Sequence, residues 1–155
     1  MFDMEKDKTI DKTDRKILNI LLKNAGLSCR RIAKKTGLST VTILNRIKKL
    51  ENEKIIKNHT VHLDYSKLGY GIEVIIKLCI SKGMLFEVEK KIAKEPNVSA
   101  IYDVTGNFDA IIIAKFRNRK SMDNFLKKIQ IYDFIEKTET ILILNTIKEE
   151  NILVK

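Results

Sequence analysis

Between Ser28 and Lys57, nine basic side chains face two acidic ones, Glu51 and Glu53. The nine are Arg30, Arg31, Lys34, Lys35, Arg46, Lys48, Lys49, Lys54 and Lys57. Among them stand small hydrogen-bonding residues, Ser39, Thr40, Thr42 and Asn45, with the apolar Val41. Hydroxyl and amide groups of this size can reach the polar edges of bases, while guanidinium and ammonium groups neutralise phosphates. This is chemistry for holding a polyanion, nucleic acid first among them; a solvated Lys-rich surface is the plainer alternative. Thirty Lys and Arg against twenty Asp and Glu leave the 155-residue chain at +10. The excess is uneven: residues 1–66 carry 15 basic and 8 acidic residues, residues 67–155 carry 15 and 12. A binding module joined to a second module would show this asymmetry.

The other reactive residues form no familiar constellation. Cys29 and Cys79 lie fifty positions apart with no His or Cys beside either, so neither a zinc cluster nor a disulfide framework is expected. His59 and His62 sit three apart in a stretch that reads as extended, which points them to opposite faces; no metal site is expected there. There is no Ser-His-Asp or Cys-His grouping and no glycine-rich phosphate loop, so neither an enzyme nor a bound cofactor is expected. The opening "MFDMEKDKTI" is charged from its third residue, and the apolar run near Ile72–Ile80 is interrupted by Glu73 and Lys77. Neither a secretory leader nor a span of about 20 apolar residues is present, which predicts a cytoplasmic protein without membrane contact.

These residues need elements to position them. Asp11 and Asp14 have capping-box spacing, and Ile17, Leu18, Leu21 and Leu22 recur at helical period; Asn24-Ala25-Gly26 closes that helix. Ser28 and Ser39 are good N-cap residues, and Gly37 supplies the positive φ that ends one short helix before the next, with Leu38 packing inward. A Gly inside one continuous helix would cost about 1 kcal/mol and waste both caps, so two helices with a tight turn are expected. On the second of these, Ile43, Ile47 and Leu50 fall in a narrow arc facing the core. Val41, Thr42, Asn45, Arg46, Lys48 and Lys49 spread over the other side, with Leu44 at the flank. The following "IIKNHTVHL" reads as two short strands around Lys57-Asn58, a wing. Beyond "DYSKLGYG" the pattern alternates: "GIEVIIKLCIS", "VSAIYDVT", "AIIIAKF" and "TETILILNTIK" as strands, "LFEVEKKIAKE" and "KSMDNFLKKIQIY" as helices, and "GNFD" as a tight turn.

The expected fold class is therefore α+β. Residues 1–66 form a winged helix-turn-helix domain, and residues 67–155 a ferredoxin-like βαββαβ domain. In "AIIIAKF" both faces are apolar: Ala110, Ile112, Ala114 and Phe116 on one, Ile111 and Ile113 on the other. Two helices cover one face, and a second copy of the chain is the economical cover for the other, so a homodimer is expected.

The stretches "IDKTDRKIL", "IAKKTGLSTVTILNRIKKLE", "HLDYSKLG", "VTGNFD" and "TILILNTIK" together resemble the Lrp/AsnC (leucine-responsive, feast/famine) transcriptional regulators over nearly the whole chain. The resemblance implies a sequence-specific DNA-binding regulator whose dimers assemble to tetramers, octamers or larger forms, many sensing an amino acid. On double-stranded DNA, Thr40, Val41, Thr42 and Asn45, at the tip capped by Ser39, are the candidates for base contact. Arg30, Arg31, Lys34, Arg46, Lys48 and Lys49 are the candidates for phosphate contact. The resemblance places an effector between dimers, near the turn of Thr105, Gly106, Asn107, Phe108 and Asp109, with Asp103, Thr140 and Leu142 as further lining. Turn N–H groups could receive a carboxylate and Asp109 an ammonium; alternatively Gly106 simply makes a hairpin turn that Asp109 caps. An Asp at position 103, where some leucine-responsive members carry an apolar residue, speaks for a polar or basic effector, or none. A small-molecule-responsive regulatory subunit acting through protein contacts is the alternative function.

Overall fold

The computed structural model describes residues 10–81 and 83–155. Residues 1–9, on which part of the first-domain and leader readings rest, lie outside the described residues. The chain forms two compact units, one ending at His62 and including Glu149–Lys155, the other Leu63–Lys148.

The first unit is built on three helices, α1 (Lys12–Lys23), α2 (Cys29–Thr36) and α3 (Thr40–Asn52). The capping box forms: the Asp11 carboxylate accepts from the Asp14 N–H at 2.7 Å, and Asp14 accepts from the Asp11 N–H. At the far end α1 stops without a left-handed glycine. Asn24 turns extended, and its side chain accepts from the Gly26 N–H instead. Ser28 and Ser39 cap α2 and α3 through the N–H groups of Arg31 and Thr42, and Gly37 takes φ 76° between them. Leu38, expected to pack inward, is exposed; its N–H bonds the Ala33 carbonyl, as does that of Gly37.

Ile17, Leu21, Ile32, Ala33, Ile43 and Ile47 make the core of this unit, with Ile56 packed against it. Full burial of such side chains stabilises by about 1.5–3 kcal/mol each, enough to set the helices' mutual packing. The wing strands do not form: among the described residues no strand lies between α3 and β1 (Ile72–Ile80). The N–H groups of Ile55 and Ile56 both turn back to the Leu50 carbonyl at the end of α3, so the ladder lacks its first donors. Two strands of a few exposed residues would not hold without a third.

In the second unit β1 is followed by α4 (Leu85–Ile92), β2 (Val98–Asp103), β3 (Ala110–Phe116), α5 (Arg119–Gln130) and β4 (Ile135–Leu142). The sheet runs β2-β3-β1-β4 with every pairing antiparallel, the ferredoxin-like arrangement expected. Both helices cover one face: Val88, Ile92, Phe125 and Ile129 pack on Val74, Ile76, Leu78, Ala110, Ile112 and Phe116. The other face is mixed. Ile75, Ile111 and Ile113 are half-buried and lie beside the ion pairs Glu73–Lys115 and Lys77–Glu139. The last strand begins and ends earlier than the expected Thr138–Lys148, because register follows its partner. Val74 pairs Leu142, and one further bond from Ile143 to Glu73 brings the ladder to the start of β1.

Gly37 adopts a backbone that costs an L-residue roughly 1–2 kcal/mol, with open space where a Cβ would stand. Gly37→Ala should therefore destabilise the first unit by about that amount through backbone strain alone, read as a lower urea midpoint with unchanged slope.

Candidate nucleic-acid interface and effector turn

The exposed face of α3 is set by what its other face must bury. Ile43, Ile47 and Leu50 are in the core, which leaves Thr40, Val41, Leu44, Asn45 and Lys48 on one exposed stripe at helical spacing, with Lys49 at its margin. Leu44 lies within this stripe rather than at the flank. Val41 is 66% exposed and Leu44 41%, so two apolar side chains stand among the polar ones. Ser39 and Thr42 do other work at the tip. The Ser39 Oγ accepts from the Thr42 N–H at 3.0 Å and lies 2.8 Å from the Thr42 Oγ1. They shape the helix start and offer less free hydrogen-bonding capacity than Thr40 and Asn45. Arg30, Arg31 and Lys34 are exposed on α2.

Arg46 departs from the expectation of a phosphate contact. Its Nη1 donates to Asp11 Oδ2 at 2.6 Å and to Asp14 Oδ1 at 2.8 Å, and the Asp14 side chain is 2% exposed. At 100° per residue Arg46 falls beside the core arc of α3 and faces α1, so its charge is neutralised within the protein. The hydrogen bond from the Asp14 backbone, then that from Arg46, holds the Asp11 carboxyl below its ordinary value of 3.8. Hydrogen bonds to Asp11 and Asp14 raise Arg46. Spacing alone carries no signal that separates Arg46 from Lys48 and Lys49; the partner carboxylates thirty-two and thirty-five positions away do.

At the other candidate site, Gly106 takes φ 119° in the turn joining β2 to β3, and the Val104 N–H closes the turn on the Asp109 carbonyl at 3.0 Å. One oxygen of Asp109 is already engaged within the fold. Its Oδ2 accepts from the Ile80 N–H at 2.7 Å, and its own N–H bonds the Leu78 carbonyl. The carboxylate serves the sheet, which is the turn-capping alternative. An open depression beside the turn is lined by Lys77, Asp103, Thr105, Asn107, Phe108 and Ile111. Lys77 and Ile111 are not expected there from the sequence. Pairing of Lys77 with Ile111 across β1 and β3 brings them to one face. The Lys77 and Lys137 ammonium groups stand 4.9 and 5.5 Å from the Phe108 ring centre, and Lys77 pairs with Glu139 at 2.6 Å. The Lys77 hydrogen bond holds the Glu139 carboxyl below its usual value. Asp103 brings the opposite charge; with burial as the larger cause, it pushes the Glu89 carboxyl up. The depression therefore presents a cation, an aromatic ring and a carboxylate. Thr140 and Leu142 do not join it within one chain. They pair with Ile76 and Val74, whose side chains point to the helix-covered face, away from Lys77 and Ile111.

Among the described residues no three of His, Cys, Asp and Glu gather as a metal would require. His59 Nε2 lies 3.0 Å from Glu51. No helix among the described residues is long and apolar enough to cross a membrane.

Comparison with known proteins also finds two modules in the chain, with bounds that differ from the two compact units at the C-terminal segment. Residues 10–57 match the winged helix-turn-helix DNA-binding model, and residues 73–153 match the Lrp/AsnC ligand binding domain. An uncharacterised HTH-type transcriptional regulator of Pyrococcus furiosus is 45% identical over 91% of this chain and 95% of its own. The HTH-type transcriptional regulator FL11 of the same organism is 34% identical over 90% and 93%. Among solved structures, Escherichia coli AsnC superposes with a TM-score of 0.86 at 28% identity, covering 94% of this chain and 99% of that one. A Neisseria meningitidis transcriptional regulator in complex with L-Met also reaches 0.86, at 26% identity, covering 92% and 94%.

The Arg46 geometry makes two expectations. Arg46→Met should destabilise the first unit by about 1–3 kcal/mol, because it strands the buried Asp14 carboxylate, yet leave the salt slope of DNA binding unchanged. A slope smaller by about 1 would restore Arg46 as a phosphate contact. Because the folded pKa of Asp11 is lowered, its stabilising contribution is complete above the ordinary 3.8 and is lost as pH falls through the folded value. Asp11→Asn should accordingly flatten the acid limb of the first unit's stability curve, followed by helical circular dichroism.

Proposed function

The chain belongs to the Lrp/AsnC family of transcriptional regulators, and from that premise we propose how its two units divide the work. Residues 1–66 read DNA; residues 67–155 bind a small effector and join copies of the chain. The observation that carries this reading is the α3 stripe: two apolar side chains, a hydroxyl and an amide exposed at the start of a capped helix, with lysines behind them. Thr40 and Asn45 have donors and acceptors for base edges in a major groove, and Val41 and Leu44 suit thymine methyl groups. Arg30, Arg31, Lys34, Lys48 and Lys49 fit phosphates. The reading leaves no catalytic step to the protein, and it works in the cytoplasm, where its DNA is.

For the second unit, the mixed sheet face with Ile75, Ile111 and Ile113 suits a homodimer packed sheet to sheet, whose copies can assemble to tetramers or octamers. The depression by Gly106 suits an amino acid, a ligand class that the Neisseria relative bears out for itself in its L-Met complex. Lys77 offers a partner to the carboxylate and Asp103 to the ammonium, in place of Asp109.

Duplexes selected from a random library test the DNA reading. Asn45→Ala should lose about 1–3 kcal/mol of discrimination between selected and random duplexes. Lys49→Ala should weaken both alike and reduce the salt slope by about 1. Equal losses on both kinds of duplex for both variants would remove this assignment. For the effector, thermal shift and sizing with each of the twenty amino acids should single out one ligand or a small group, with the response abolished in Asp103→Ala. If none changes stability or assembly, the effector site at the turn is wrong.

A further inference from the structure

The first helix carries a feature that the recognition face does not use. Lys12, Arg15, Lys16, Asn19 and Lys23 follow one another at intervals of one to four positions, and all five fall within roughly 100° of the helix surface. Ile17, Leu18 and Leu21, on the opposite side of α1, are buried. The stripe runs for about 16 Å along the axis, at 1.5 Å per residue. Lys35, from the last turn of α2, lines the same groove. Four of the groove's five cations sit on α1, and all five are exposed.

None of these cations has an ion-pair partner among the described residues. Asn19, at the middle of the stripe, is engaged differently. Its side-chain amide donates to the Val154 carbonyl at 2.9 Å and accepts from the Val154 N–H at 2.8 Å. The tail is thus held by its backbone in the middle of the groove, and among the described residues no carboxylate pairs with the flanking charges.

A row of unpaired like charges lowers the stability of the helix that bears it, since neighbours at i,i+4 repel. The row is complementary to a polymer with regularly spaced negative charge. We propose that this groove on α1 and α2 is a second DNA-contacting surface, one that holds the phosphate backbone without reading bases. It rests on the DNA-binding reading above and extends it from the recognition helix to another face of the same unit. It assigns a role to charges that the base-reading face does not need, and it adds affinity that is the same for every sequence.

The test uses the full chain with Lys12, Arg15, Lys16 and Lys23 all changed to Gln, measured by fluorescence anisotropy on selected and random duplexes across a salt series. All four side chains are exposed, so the thermal transition should stay in place or rise. The expected result is a salt slope smaller by about 2–4, at roughly 0.9 for each phosphate no longer neutralised. Affinity for both duplexes should fall together, and the ratio between them should hold. A matched variant neutralising Lys90, Lys94, Arg119 and Lys120 in the second unit controls for net charge, and its slope should equal that of the unaltered chain. An unchanged slope in the α1 variant, or an equal fall in both variants, overturns the proposal while the recognition-helix reading stands. Failure of the unaltered chain to bind any duplex overturns both.

Discussion

One guanidinium group decides how the first unit can present α3. Arg46 leaves α3 midway along its length and ends between Asp11 and Asp14, the two carboxylates of the α1 capping box. Those carboxylates already stabilise the α1 N-terminus by accepting from its free N–H groups and by opposing the positive end of its dipole. Arg46 adds a second use. The same two acids fix the helix start and anchor α3 against it, so α1 cannot fray there without releasing α3. The near-complete burial of Asp14 makes this demanding, since a carboxylate deprived of both water and its cation is strongly destabilising. The result is a helix whose azimuth is set by a polar contact as well as by Ile43, Ile47 and Leu50.

The second unit has its own constraint in β1, which pairs on both sides and so dictates register to β3 and β4. Most of the cross-strand meetings on the open face follow from it, among them Glu73 with Lys115, Ile75 with Ile113 and Ile141, and Lys77 with Ile111 and Glu139. The turn before β3 is fastened to this strand too, through Asp109 to the backbone of Leu78 and Ile80. Engaging Asp109 in this way gives the turn a fixed position relative to Lys77 and Phe108. A depression whose walls are held by ladder bonds needs little reorganisation when a ligand enters, which favours binding.

How far the sequence can be read depends on whether the deciding contact is local. The caps at Asp11, Ser28 and Ser39, the positive φ of Gly37 and the α3 core arc are set within a few residues, and all are legible. So is the βαββαβ order, because period-two and period-3.6 patterns alternate without ambiguity. The failures share a cause. A helical projection assigns Arg46 to DNA because it shows which residues share a side but not what waits opposite. Asp109 stays between two roles in the sequence, since its partner Ile80 is twenty-nine positions earlier. The β-branched residues after α3 suggest wing strands, yet Ile55 and Ile56 direct their N–H groups to the end of α3. Resemblance places Thr140 and Leu142 near the effector, and the parity of their pairing with β1 turns them to the other face. The stripe on α1 is visible at its helical spacing, but spacing does not say which of its cations find a carboxylate in the fold.

The two units also differ in how they settle their charges. In the second, Lys67, Lys77, Lys115, Lys127 and Lys128 each meet a carboxylate. In the first, Arg46 is the one Lys or Arg that does so among the described residues. Unpaired like charges on a small unit repel one another, and that repulsion lowers its stability at low ionic strength. A polyanion relieves the repulsion by binding the folded form, so affinity for DNA and stability of the first unit are linked in one free-energy balance. In the second unit the pairs Glu73–Lys115 and Lys77–Glu139 settle part of the charge across the sheet, so a larger share of its cations is already compensated than in the first.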